Sequence, residues 1–187
     1  MSNEIRVLAM AFRSDSYHNL VLAEAGKSHL LYTREPVRAK VLVLLHMSIE
    51  CALKCMITIE RQNKDFAHIY KIIRKCGHDL SKLSSAITST ALDPRLRSRL
   101  KAFNPAGVNL RYGFEVMLLR VDQLFTPGEN PEFSDAKLDE AFDLAKFIWE
   151  LTTGIYKTTY TSAFTWANGD NPTRVINRIK SLGSMKR

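Results

Sequence analysis

The sequence predicts an all-α fold, an antiparallel bundle of four to five helices. Three observations predict it. Nearly every long segment repeats its apolar residues at spacings of three and four. The breaks between these segments are short and fall at proline, glycine or asparagine. No alternation of strand and helix patterns supports a parallel sheet.

Each element follows from its spacing. From Ser14 to Tyr32, Leu20, Ala23, Leu30 and Leu31 fall near one face, with Ser14, Asp15 or Ser16 as the cap. Pro36 separates this helix from the next, Val37 to Gln62, whose buried stripe is Leu42, Leu45, Ile49, Ala52, Leu53 and Met56. Asn63 to Phe66 reads as a turn, and Ile69 to Arg74 as a short helical run ending before Gly77. Leu80 to Thr88 resumes the helix with Leu80, Leu83 and Ile87 inward. Asp93 caps a short helix that has Pro94 at its first position and Leu96, Leu100 and Phe103 inside. Asn104-Pro105 ends it. Residues 105–133 collect five of the prolines and glycines before Pro131 and are irregular, and Phe114 to Leu119 suits a strand or a short helix equally. Ser134 opens the longest helix, to about Phe164, with Leu138, Ala141, Ala145, Ile148, Thr152 and Ile155 as its inner stripe. The expected organisation is one bundle over 1–166, followed by a basic tail over 167–187 in which Val175, Ile179 and Leu182 allow a short amphipathic helix.

The chain has 187 residues, enough to bury roughly 70% of its unfolded surface without disulfides or metal. No targeting segment is evident: Val7 to Phe12 is shorter than a signal core. Val41 to Ile49, the most apolar stretch, is far short of the roughly 20 residues that span a membrane. A soluble, cytoplasmic protein with no membrane partner is expected. The net charge of +8 favours an acidic partner. It is unevenly spread: residues 115–150 hold nine acids and three bases, a local −6 that leaves +14 on the rest. That polarity suits a polyanion on the basic side or pairing with a second copy of the chain.

The eight glycines form neither a dinucleotide-binding turn nor a P-loop. Cys51 and Cys55 lie mid-helix beside the apolar stripe, and Cys76 precedes His78 by two. Close-spaced zinc ligands normally sit on a knuckle or loop, so three buried thiols are expected, with no metal and no cofactor. His46, Glu50 and Lys54 form one polar ridge, with Glu50 and Lys54 in the favourable order for a helix ion pair. A solvated surface pair is favoured over a site. Arg95, Arg97, Arg99 and Lys101 are the densest basic cluster. They flank the Leu96–Leu100–Phe103 stripe, so phosphate contact and a solubilising surface are both open. Arg111-Tyr112 can grip a phosphate and stack on a base, or simply pack. In His78-Asp79, Asp79 suits a helix cap and His78 a hydrogen bond that orients the turn, with a catalytic His78 as the minority reading.

Four stretches occur in a familiar order: "HMSIECALKCM" at 46–56, "GHDLSKL" at 77–83, "NLRYGFE" at 109–115 and "LDEAFDLAKFIWEL" at 138–151. Together they resemble the HEPN domain (higher eukaryotes and prokaryotes nucleotide-binding) over about residues 15–160. The resemblance implies a helical bundle that commonly dimerises, used in RNA cleavage, RNA or nucleotide binding and partner recognition. It further implies toxin–antitoxin or antiviral defence systems, often beside a nucleotidyltransferase. Ribonucleases of the family carry an arginine and a histidine four to six residues apart, usually on the last helix. The histidines here are His18, His29, His46, His68 and His78, and none falls there. Arg13 with His18 and Arg61 with His68 match by spacing only. No catalytic residue is therefore assigned. The expectation is a non-catalytic HEPN-like module that forms a homodimer and binds RNA, a nucleotide or a partner protein. The alternative is a metal-independent ribonuclease with a displaced site around Arg111, Tyr112 and His78. A third reading is a structural partner that docks through Thr173 to Arg187.

Overall fold

Six helices and no strand make up residues 3–28, 35–104 and 134–160, which the computed structural model describes. They are α1 (Asn3–Lys27), α2 (Glu35–Glu60), α3 (Phe66–Cys76) and α4 (Leu80–Ala86), then α5 (residues 94–104) and α6 (Asp135–Thr159). Four starts are capped by a side chain. Asp65, Asp79, Asp93 and Ser134 accept hydrogen bonds from the backbone N–H of His68, Lys82, Leu96 and Lys137 respectively.

The first helix begins eleven positions before the expected start at Ser14. The reason is a stripe that runs upstream: Ile5, Leu8, Ser16, Leu20 and Ala23 are buried, and Phe12 packs against the core between them. Ser16 is no cap. It lies inside α1, where the Ser48 hydroxyl donates to its carbonyl oxygen at 2.8 Å and the two hydroxyls meet at 3.3 Å. Leu30 and Leu31, residues 105–133 and the tail lie outside the described residues.

Side-chain contacts fix the directions of the three long helices. Along α1 and α2, Gly26 approaches Val41, Ser16 meets Ser48, and Phe12 lies 6.0 Å from the Lys54 ammonium. These pairs run in opposite senses, so α1 and α2 are antiparallel. Lys27 with Asp139, Tyr17 with Trp149 and Arg13 with Tyr156 show that α1 also runs antiparallel to α6. Helices α2 and α6 therefore run parallel, consistent with the ion pair of Arg38 and Asp135 at one end. A parallel pair requires a long return, and α3, α4 and α5 lie on it.

Helix α2 is central. All six residues of its expected stripe are buried, and so are Val41, Cys55, Ile57 and Ile59 on its other faces. A helix that is apolar all round belongs inside a core. Its Val37–Glu60 stretch is also long and apolar enough to cross a membrane by composition, which corrects the expectation from Val41 to Ile49 alone. Most of that stretch is buried against its neighbours within the bundle.

The tightest approach of α1 to α2 is at Gly26, where an added Cβ would stand 2.7 Å from Val41 Cγ2. Val41 is buried and β-branched, so it cannot swing aside. Gly26→Ala is expected to lower stability by about 1 kcal/mol or more: overpacking costs ~1–3 kcal/mol, against a helix-propensity gain of at most ~1. In a urea titration, adding Val41→Ala should make the Gly26→Ala substitution neutral or stabilising. Equal effects of Gly26→Ala in both backgrounds would contradict the close approach.

Candidate functional site

The polar ridge of α2 is buried. His46 is inaccessible, the Glu50 side chain is 4% exposed and that of Lys54 13%. The expectation of a solvated pair is therefore corrected. His46, Glu50 and Lys54 lie on a side of α2 that other elements cover, and Glu50 meets the α3–α4 turn through His78. Lys54 Nζ and His78 Nδ1 both meet the same Glu50 oxygen, Oε1, at 2.6 and 2.9 Å. A carboxylate accepts only, so a neutral His78 carries its hydrogen on Nδ1. That leaves Nε2 as an acceptor on a ring whose side chain is 52% exposed. The His46 ring lies 6.0 Å from that of Phe103, which brings the end of α5 to the same place.

The turn that delivers His78 depends on Gly77. Its φ of 61° is open to glycine and strained for other residues, and its N–H donates to the Ile73 carbonyl at 3.0 Å. Asp79 then caps α4, and the Asn104 side chain of α5 accepts from the Leu80 N–H at 2.7 Å. Two free amides of a seven-residue helix are satisfied by groups on both sides of it.

The other end of α4 is held by cations. Arg97 donates Nε to the Leu92 carbonyl at 3.0 Å and its terminal nitrogens to the Ser84 and Ile87 carbonyls. Arg61 donates to the Ala86 carbonyl at 2.5 Å. The Ser84, Ala86 and Ile87 carbonyls belong to the last turn and cap of α4, where positive charge is favoured. Arg97 is thus committed to the backbone and does not face solvent with its neighbours, which corrects its place in the basic cluster. Arg95, Arg99 and Lys101 are exposed. Glu60 completes the clamp by accepting from the Thr88 and Ser89 N–H groups at 2.9 and 2.8 Å and from the Thr88 hydroxyl. Burial opposes its ionisation, but the hydrogen bonds from Ser89 and Thr88 prevail and hold its carboxyl below the ordinary range.

Between α3 and α4 lies a groove of about 590 Å³. Among the described residues Arg61, Lys75 and Lys82 line it, together with Ser81, Ser85 and Cys76, and no acid does, though Glu60 lies 3.6 Å from Arg61 and Asp79 3.6 Å from Lys82. Burial, then Asp79, pushes the Cys76 thiol up, with Arg61, Lys82 and Lys54 pulling the other way, so it is no ready nucleophile. The sequence reading did not single out Lys75, Lys82 or the two serines. Ser81 and Ser85 are one helical turn apart, the only local signal. That they face Lys75 follows from the Gly77 turn.

Of the remaining candidates, Arg111 and Tyr112 lie outside the described residues. Cys55 is buried as expected, whereas Cys51 and Cys76 are only partly so. Among the described residues no three His, Cys, Asp or Glu side chains gather as a metal-ligand set. Arg13 stacks on Tyr156 while His18 is exposed beside Tyr17. Arg61 reaches α4 while His68 is exposed on the first turn of α3. Neither spacing match makes a site with its histidine. No protein-family model, curated protein or solved structure matches the chain.

The depressed Glu60 carboxyl sets a pH dependence. Its stabilising contribution is complete above the unfolded value of 4.5 and is lost as pH falls through the lower folded value. Glu60→Gln is expected to cost about 1–3 kcal/mol at pH 7. The gap from wild type should narrow as the pH of a urea titration is taken from 7 to 3. A gap of the same size at both ends would contradict the assignment.

Proposed function

We propose that the chain is a HEPN-like module that binds RNA through the α3–α4 groove without cleaving it. The groove lining carries this reading: three cations and two hydroxyls around about 590 Å³, with no acid among the lining residues. Cations that track a sugar–phosphate backbone bind without reading sequence, and hydroxyls add contacts to phosphate and sugar. Exposed Arg95 and Arg99 extend the positive field from α5, whose first turn is fastened to α4 by Arg97. The resemblance gains support from contact between its motifs: Glu50 and Lys54 from the first meet His78 from the second.

A second reading, ribonuclease, has one specific observation in its favour. Glu50 Oε1 bonds His78 Nδ1 at 2.9 Å, a carboxylate–histidine pair of the kind used in general base work. The groove supplies cations for phosphate, but the acid that would protonate a leaving oxygen is not among its lining residues, so binding alone is favoured.

Titration of a labelled single-stranded RNA at several salt concentrations tests the proposal. Affinity should fall steeply with salt. Lys75→Gln and Lys82→Gln should each reduce the slope of log K against log salt by roughly 0.7. Absence of salt-dependent binding, or slopes unchanged in both variants, would overturn the groove. Cleavage of the RNA by wild type and not by folded His78→Ala would replace binding by ribonuclease activity.

A further inference from the structure

Along the N-terminal half of α1, two arginines stand against two tyrosines. Arg13 Cζ lies 4.7 Å from the centre of the Tyr156 ring, and Arg6 Cζ 5.5 Å from that of Tyr160. The two rings are 4.7 Å apart and tilted by 58°. Cys55 of α2 packs with Tyr160 and closes the floor together with Ala9 and Ile59. Stacking occupies the face of a guanidinium and leaves its in-plane N–H donors available.

The polar groups left over here are donors. Arg13 Nε is buried with no acceptor, and no carboxylate forms an ion pair with Arg13 among the described residues. The Tyr160 hydroxyl is buried without a partner on a residue only 8% exposed. Buried polar groups in folded proteins almost always have partners. Burial, then Cys55 and Tyr156, pushes the Tyr160 phenol up to about 12 despite Arg6, so it keeps its proton and donates. Burial likewise pushes the Cys55 thiol up to about 12 against the pull of Arg13, so it brings no negative charge to the site.

What fits is a ligand rich in acceptors and free of donors. We propose that Arg13 and the Tyr160 hydroxyl bind a small oxyanion of the phosphate or phosphate-monoester class. Arg13 and Tyr156 are only partly buried, which puts the entrance on their side. Arg13 and Arg6 already lie over Tyr156 and Tyr160, so the site reads the phosphoryl group and offers no stacking place for a base. It shares no residue with the α3–α4 groove and stands whether or not the groove binds RNA.

The test is thermal unfolding of the full chain in inorganic phosphate against chloride of equal ionic strength, with adenosine monophosphate as a second arm. Phosphate at a ~100-fold excess over its Kd should raise Tm by several degrees, on the order of 5 °C. The nucleotide should do so equally. Tyr160→Phe removes only an unpartnered hydroxyl, so it should fold normally and lose most of the shift, as should Arg13→Gln. No shift beyond chloride, a shift retained in both variants, or one seen with the nucleotide alone would overturn the proposal. So would a shift abolished by Lys75→Gln and Lys82→Gln instead, which assigns the anion to the groove.

Discussion

A carboxylate inside the central helix constrains the rest of the molecule. Glu50 sits amid the apolar side chains of α2 and is almost fully removed from water. Burying an ion costs several kcal/mol, and that cost is met only by close partners. Lys54 supplies one from the next turn of the same helix, and His78 supplies another from the α3–α4 turn. The second partner has to be delivered from a different element. The chain must therefore turn beside α2 at residues 77–79, with α3 ending and α4 beginning there. The groove between α3 and α4 is built beside that turn.

The turn is made by local chemistry that agrees with this demand. Gly77 adopts the positive φ, Asp79 caps α4, and Asn104 fastens the end of α5 to the same helix start. At the other end of α4, Arg61, Arg97 and Glu60 satisfy the carbonyls and amides of the connection to α5. A helix of seven residues has too little length to hold itself together. It is stable here because both its termini are bonded to neighbours. The parallel run of α2 and α6 explains why this assembly exists at all. A chain that must return to the same end of the bundle needs a long connection, and its short helices are where the cationic groove forms.

The apolar stripes and the caps were legible in the sequence because they obey local rules. Leu42 to Met56, Leu80, Leu83 and Leu100 are buried as their spacing demands, and Asp79 and Ser134 cap as their positions suggest. The ridge on α2 was misread because spacing shows which residues share a face but not what that face meets. Val41, Ile57 and Ile59, apolar and off the main stripe, already hinted that α2 is covered on more than one face. Arg97 was indistinguishable from Arg95 and Arg99 by charge. What separates it is the carbonyls of Ser84 and Ile87, whose proximity depends on how α4 ends. The start of α1 was missed because Ser14, Asp15 and Ser16 imitate a cap, whereas Ser16 belongs to the contact with Ser48. The candidate sites were the least legible, since the cations of the groove and the arginine–tyrosine cluster each draw on more than one helix.

Native-state hydrogen exchange on Glu50→Gln tests the central dependence most directly. Glutamine keeps the size of the side chain and removes its charge. If the carboxylate fixes the α3–α4 turn, amides of Gly77, Leu80, Lys82 and Leu83 lose protection well beyond the change seen in α1 and α6. Uniform loss across all helices, or unchanged protection at the turn, would show that Glu50 serves the core alone and that the groove is positioned by something else.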